Sequence, residues 1–443
     1  MARPMQQNGR MGGVDLRKTA ACMTVAILLI VTASQSAQAQ TLSPLHGFNG
    51  MPDGATPIGE LTMDRAGDLY GTTQYGGAYG WGMVFKLVHT GSTWIMHPLY
   101  SFPSIYQQGG NDGAEPLAGV TIGPDGNLYG TNTLGSGSSN YGTVFKLSPP
   151  ASVCRSTLCP WSETILYRFT GGSDGGLPSG PVVFDSAGNL YGTTSYGGVT
   201  CGPGYSCGVV FKLTRSGSSW TETVLHAFSG SPDGANPGGA LVFDHAGNLY
   251  GVTGGGGSMC APDGCGTVFQ LTLSGSGWTE NIIHSFDYYD DGAGPQGGVI
   301  FDNAGNLFGG TAFAPTGNGT VFELTPSGGQ WTYTLLYSLT SGQSGIPGPL
   351  GTLAMDATGN LYGMTFEGGD VFGAGACEYG CGTVFKLAPS VGAWVYSLLY
   401  KFTGGTDGAQ PYDGVILDRN GNLYGTASAA GARGQGVVFE ITP

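Results

Sequence analysis

The stretch FDSAGNLYGTT, residues 184–194, decides the fold because it does not stand alone. The same shape returns as MDRAGDLYGTT from Met63, IGPDGNLYGTN from Ile122 and FDHAGNLYGVT from Phe243. It returns again as FDNAGNLFGGT from Phe301, MDATGNLYGMT from Met355 and LDRNGNLYGTA from Leu417. The aromatic of the motif falls at Tyr70, Tyr129, Tyr191, Tyr250, Phe308, Tyr362 and Tyr424, at intervals of 54–62 residues. An internal period of that size marks a solenoid, a propeller or an array.

The content of one period chooses among them. In residues 238–286, GGALVFD reads as a short apolar strand, HAGN as a turn and LYGVT as a second strand. A glycine-rich loop follows, then the strand GTVFQLT, the turn LSGSG and the longer strand WTENIIHSF. No stretch beyond residue 40 has a helical period. Four strands joined by turns and repeated seven times are the signature of a β-propeller blade. The fourth strand opens with Trp94, Trp161, Trp220, Trp278, Trp331 or Trp394, and eight residues later comes Phe102, Phe169, Phe228, Phe286, Leu339 or Phe402. Side chains of this size suit the gap between neighbouring blades, where one aromatic buries about 150–250 Å².

The chain ends provide an independent check. The sequence stops at GVVFEITP, a third strand with no fourth, and QTLSPLHGFNG from Gln40 is a fourth strand with no first three. The expectation is an all-β, seven-bladed propeller of four-stranded antiparallel blades, the last closed by the mature N-terminal strand. The blades span about 58–102, 117–169, 179–228, 238–286, 296–339, 348–402, and 412–443 plus 40–48. GGALVFD, the most apolar strand, is placed innermost. WTETVLHAF, which alternates polar and apolar residues, is placed at the outer edge, next to water.

Residues 1–39 are a separate object. Arg3, Arg10, Arg17 and Lys18 precede an apolar run from about Ala20 to Val31, and Ala37-Gln38-Ala39 is a small-x-small cleavage signal. This is the pattern of a secretory signal peptide. Its removal leaves no membrane span and a periplasmic or extracellular protein. The formal net charge is −14, and losing the basic segment makes the chain more acidic. Nucleic acid is excluded as a partner class, since that affinity comes largely from Lys and Arg neutralising phosphates. A monomer is expected.

Eight of the cysteines fall into close pairs: Cys154 with Cys159, Cys201 with Cys207, Cys260 with Cys265, and Cys377 with Cys381. Short local pairs in an exported protein read as disulfides. No pair has histidine at ligand spacing, so zinc is disfavoured. Glycine, at 84 of 443 residues without a Gly-X-Y period, belongs in the turns.

The succession G-N-L-Y-G-T-T, G-G, G-T-V-F-K-L, W-T-x-x-x-L-Y-x-F and D-G-A-x-P resembles the GloVer-type tandem repeat of exported bacterial proteins. The resemblance covers nearly all of residues 41–443. It implies a propeller-like architecture and export, and it carries no activity to any residue. Proteins of that kind bear varied C-terminal anchoring segments, and none is expected here after Pro443.

Strands of a blade run alternately up and down, so the turns alternate between two faces. The glycine-rich loop after the second strand and the DGAxP connection share the long-loop face. Loops on a rigid scaffold are where binding usually resides. A residue repeated in every blade is architectural, whereas one that breaks the repeat is a candidate for function. On the long-loop face those are Tyr75, Tyr79 and Trp81, then Tyr196 and Tyr205, then Phe366, Glu367, Asp370, Phe372, Glu378 and Tyr379. Aromatics with a few carboxylates suit a glycan or a protein partner, and packing against the loops' own disulfides is the bland alternative.

The DGAxP aspartates Asp53, Asp112, Asp174, Asp233, Asp291 and Asp407 could ring a calcium ion or sugar hydroxyls. The competing reading is a turn aspartate accepting backbone N–H groups, and no cofactor is the expectation. His46, His226 and His284 stand where other blades have Tyr, which reads as packing. No HExxH, GxSxG or Walker loop is present. The expected function is therefore a binding or scaffold module. The alternative is a polysaccharide hydrolase or lyase using loop-face carboxylates, for which Glu367 and Asp370 are the nearest pair.

Overall fold

The computed structural model describes residues 40–442 apart from 104–111, 136–139, 151–160, 203–204, 261–262, 276, 316, 341–347 and 370–376. Residues 1–39, expected from the sequence to be a signal peptide, lie outside the described residues. So do Cys154 and Cys159, expected from the sequence to form a disulfide, and the loop residues Asp370 and Phe372.

The repeated motif builds a hairpin around one carboxylate. Asp185 accepts the N–H groups of Ala187 and Asn189, both at 2.9 Å. It also accepts the Asn189 amide at 2.7 Å and the Tyr191 hydroxyl at 2.9 Å. Burial pushes its carboxyl up, but these hydrogen bonds outweigh burial and hold it below the usual carboxylate range. Gly188 takes the turn's positive φ of 82°. The second blade has Gly123 in place of the aspartate, and Asp125 takes over, accepting from Asn127 at 2.6 Å and Tyr129 at 2.8 Å. Gly192 is glycine for a different reason. A Cβ there would lie 2.6 Å from Cζ of Phe211, the third-strand phenylalanine that packs across it.

Residues 41–442 form seven four-stranded antiparallel sheets. In blade three the strands are Val183–Phe184, Leu190–Thr194, Val209–Ser216 and Ser219–Ala227, paired in that order. Blade seven combines Ile416–Leu417, Leu423–Ala427 and Val437–Thr442 with Thr41–Gly47. The closing strand pairs antiparallel with the last one, Thr41 opposite Thr442 and Gly47 opposite Val437. Closure leaves neither chain end as a free edge inside the ring.

The first strand is shorter than its apolar run suggests. Its ladder is two residues long in six blades and extends over Gly234–Phe243 only in blade four. Each of these segments begins at a proline, such as Pro116 or Pro178, which has no N–H to donate. The segment leans instead on its neighbour. A Cβ on Gly180 would sit 2.4 Å from the Gly239 carbonyl, and one on Gly351 would sit 2.1 Å from the Asp413 carbonyl carbon.

Blades adhere through aromatic ladders. Phe228, just after the fourth strand of blade three, meets Phe269 on the third strand of blade four edge-on at 5.2 Å. The same contact joins Phe102 to Phe145, Phe286 to Phe322 and Phe402 to Phe439. Phe48 to Phe85 repeats it across the closure, joining blade seven to blade one. Nearer the short-loop face, Trp278 of blade four packs on Tyr191 of blade three, and Trp94 of blade one packs on Tyr424 of blade seven. Each such pair contributes about 0.5–1.5 kcal/mol beyond its buried area. Among the described residues no helix is long and apolar enough to cross a membrane.

Candidate functional site at the propeller axis

The first strands of all seven blades enter the axis from the long-loop side and enclose a pocket of about 400 Å³ there. Counting back from the hairpin aspartate, the fourth position is occupied by Gly119, Pro181, Ala240, Gly298, Thr352 and Gly414 in six blades. Blade one has Glu60. The fifth position is Gly59, Ala118, Gly180, Gly239, Gly297 and Gly351, except for Asp413 in blade seven. Small residues are needed where neighbouring strands touch. The two departures fall at one junction, where the last blade meets the first.

There the Glu60 N–H donates to Asp413 Oδ2 at 2.9 Å, and the Gly414 N–H donates to Asp413 Oδ1 at 2.8 Å. Asp413 thus has a structural task. The Glu60 carboxyl has none: it makes no hydrogen bond among the described residues. Both side chains line the pocket, walled by protein but partly open to its interior. Burial pushes the Glu60 carboxyl well above the usual carboxylate range, and the charge of Asp413 pushes it further. Burial raises Asp413 too, opposed by the N–H groups of Gly414, Glu60 and Thr352. Two adjoining carboxyl groups, with the protonated form of Glu60 favoured, are an arrangement suited to proton transfer or to holding a polar ligand. Tyr412 stands at the pocket wall, 41% exposed, with Gln296, Thr352 and Ser195 as further polar groups.

Most of the aromatics singled out from the loops lie away from this pocket. Tyr79 and Tyr205 are exposed, at 56% and 73%. Tyr205 belongs to a two-strand ribbon, Thr200–Gly202 with Tyr205–Ser206, bridged by Cys201–Cys207. Tyr75 accepts a hydrogen bond from Gln74 at 2.9 Å, and Trp81 is half-buried, its carbonyl accepting from the Glu115 N–H at 3.1 Å. Tyr196 stacks on Tyr141 of the preceding blade at 5.5 Å. Glu367 is pushed up by burial and by Glu378, and Tyr379 is exposed beside the Cys377–Cys381 bridge. Phe366 meets Tyr412, a residue of the pocket wall, edge-on at 5.9 Å. A further disulfide joins Cys260 to Cys265. Three of the four expected cysteine pairs are thus bridged, and the fourth, Cys154 with Cys159, falls outside the described residues. Glu60, Tyr412 and Asp413 were missed by reading the loops, yet departure from the repeat identifies Glu60 and Asp413 once the first strand is compared blade by blade.

The DGAxP aspartates turn to their own blades. Asp174 accepts the Tyr167 hydroxyl at 3.1 Å and the Thr170 N–H at 2.8 Å, and Asp407 accepts from Tyr400 and Thr403 at 3.0 and 2.7 Å. Asp53, Asp233 and Asp291 pair with His46, His226 and His284 at 3.1, 3.2 and 2.7 Å. Asp112 accepts the Tyr100 hydroxyl. Each carboxylate thus serves the outer strand of its own blade. Among the described residues, His226, Asp233 and Glu280 form one group close enough to share a metal ion. At the two preceding seams Tyr100, Asp112 and Glu163, and Tyr167, Asp174 and Glu222, are placed in the same way. The histidine cluster is therefore the ordinary blade seam with His in place of Tyr.

A seven-bladed β-propeller with an acidic axial pocket is thus defined. The chain belongs to the Gloeobacter/Verrucomicrobia repeat family, whose profile matches residues 31–164, 153–376 and 260–443. No curated protein matches the sequence. Similar solved structures include a proposed 6-phosphogluconolactonase from Bacteroides uniformis, 14% identical over 81% of this chain and 88% of that one, with a TM-score of 0.49. Another is a proposed oxidoreductase (glucose dehydrogenase) from Thermus thermophilus, 15% identical over 91% of this chain and all of that one, with a TM-score of 0.42. At such identities and scores these likenesses say nothing of what this chain does.

Proposed function

We propose that the protein is an exported binding module that holds a glycan on its long-loop face, with one end of the saccharide seated in the axial pocket. The observation carrying this reading is the pocket itself. It has the volume of a small-ligand site, and seven strand entries supply it with convergent polar groups and one exposed aromatic, Tyr412. Aromatic faces and hydrogen-bonding side chains are what a sugar ring with polar edges requires. Export is supported by the three disulfides, which persist in oxidising compartments. The basic and apolar run within residues 1–39 supports it too. A glycan array followed by calorimetric titration tests the reading. Tyr412→Ala is expected to weaken the best ligand ~tenfold, equivalent to about 1.4 kcal/mol. No saccharide binding at millimolar concentration, or retention by an unrelated protein surface instead, would overturn it.

A second reading is favoured by the pairing of Glu60 with Asp413. Two adjoining carboxyl groups, one with its protonated form favoured, are the equipment of a polysaccharide hydrolase or lyase. Turnover of a bound glycan that disappears in Glu60→Gln with binding retained would select this reading.

A further inference from the structure

We propose that the axial pocket selects saccharides bearing a free primary ammonium group, which seats between the Glu60 and Asp413 side chains. This rests on the reading of the pocket as a glycan site and names the chemistry it accepts. Three observations carry it. The Glu60 carboxyl is half-buried in the pocket wall, faces the pocket and has no hydrogen-bond partner among the described residues. Its hydrogen-bonding capacity is therefore open to a donor that enters the pocket. The titratable side chains lining the pocket are Glu60, Asp413 and Tyr412, and no Lys, Arg or His joins them among the described residues. The pocket's charge is therefore of one sign and uncompensated. Finally, Asp413 already accepts two N–H groups from its own ring junction, so its position is fixed before any ligand arrives.

A neutral hydroxyl would satisfy Glu60 as a hydrogen-bond partner but would leave the negative charge unbalanced. An ammonium does both, with three donors on one centre. A divalent cation fits less well, since calcium takes six to eight oxygens and the pocket supplies only two carboxyl groups. An ammonium also changes the protonation balance. Burial and Asp413 favour the protonated form of Glu60 in the empty pocket, whereas a cation beside it favours the ionised form. Binding is then accompanied by release of a proton from Glu60 to the solvent, and the complex holds one ammonium against two carboxylates.

Calorimetric titration at pH 6.5 in two buffers of different ionisation enthalpy tests this, using glucosamine oligomers, their fully N-acetylated counterparts and lysine amide as probes. The expected result is at least ~tenfold tighter binding of the free-amine oligomers, as desolvated charge pairs commonly give. Net proton release that Glu60→Gln abolishes is also expected. Equal or tighter binding of the N-acetylated oligomers, or free-amine binding without proton release, overturns the inference while leaving a glycan-binding pocket in place. Tighter binding of lysine amide than of any amino sugar overturns the saccharide assignment. Failure of every saccharide to bind overturns both the inference and the function it rests on. The contrast between acetylated and free-amine probes uses the unaltered protein, so it does not depend on how the variant folds.

Discussion

The backbone N–H of Glu60 donates to the Asp413 carboxylate at 2.9 Å across 353 residues of sequence. That bond joins the first blade to the last at the axis, while Thr41–Gly47 joins them at the rim. The ring is therefore closed twice, once by a side chain and once by a strand.

The rim closure predicts the effect of truncation. Deleting residues up to Phe48 removes the fourth strand of blade seven and exposes Phe85 and Tyr424, which share a buried cluster with Phe48. The bared strand Val437–Thr442 becomes an edge that pairs with other chains. The expected outcome is a shift to larger species than the intact chain forms in size-exclusion chromatography, together with a lowered thermal midpoint.

The aromatic ladder predicts a local cost. Phe228 is fully buried and contacts Phe269 of the next blade. Phe228→Ala is expected to destabilise by ~3–5 kcal/mol, read as a shift in the urea midpoint. Gly192→Ala is expected to be harmful despite its small size, because the added Cβ would lie 2.6 Å from the Phe211 ring.

The axial acid predicts a pH dependence. Glu60 has a folded-state pKa raised by burial and by Asp413. Its contribution to stability is therefore complete below the ordinary carboxylate pKa of about 4.3 and is lost as the pH rises through the folded value. Between pH 4.5 and 8 the thermal midpoint of the unaltered protein is expected to fall more than that of Glu60→Gln. Parallel curves would show that folding does not raise the Glu60 carboxyl.

The seam acids act in the same direction at defined pH. Burial, then the charge of Asp112, pushes Glu163 up to about 9. Burial, then Asp174 and Asp233 respectively, pushes Glu222 and Glu280 up to about 7. Each favours folding below the ordinary carboxylate range, with the benefit lost towards pH 7 for Glu222 and Glu280 and towards pH 9 for Glu163. Glu163→Gln is expected to flatten the stability profile between pH 7 and 9 and to leave it little changed below pH 5.

The loop disulfides predict a small effect. Cys201–Cys207, Cys260–Cys265 and Cys377–Cys381 close loops with sequence separations of 6, 5 and 4. Replacing both cysteines of one pair with serine is expected to cost at most about 2 kcal/mol, with the far-ultraviolet circular dichroism spectrum unchanged.

The frame was legible because each repeated residue has a repeated local task. Asp185 holds its hairpin, Gly192 makes room for Phe211, and Trp278 packs on the neighbouring Tyr191. Such tasks are set within a few residues or one blade, so they recur in the sequence with the blade. The axial pocket was not legible in the same way. Glu60 and Asp413 belong to opposite ends of the chain and meet only because the ring closes. Each looks like a lone substitution in a strand of small residues. The loop aromatics attracted notice because they are large and irregular, yet Tyr196 is engaged by Tyr141 and Tyr205 stands on its own disulfide-bridged ribbon. Size and irregularity alone do not bring side chains together.

The glycine contacts at the axis have one more consequence. Where Gly180 meets Gly239 and Gly351 meets Asp413, the spacing between blades is set by main-chain atoms. At those junctions the backbone sets the bore, whereas between the last blade and the first a pocket-lining side chain, Asp413, takes part. One residue further on, Gly119 and Gly414 also press on a neighbouring carbonyl, whereas Glu60 and Thr352 carry side chains that line the opening. Duplicated blades supply the gauge, and two departures from the duplication, Glu60 and Asp413, give one side of the opening its acidic character.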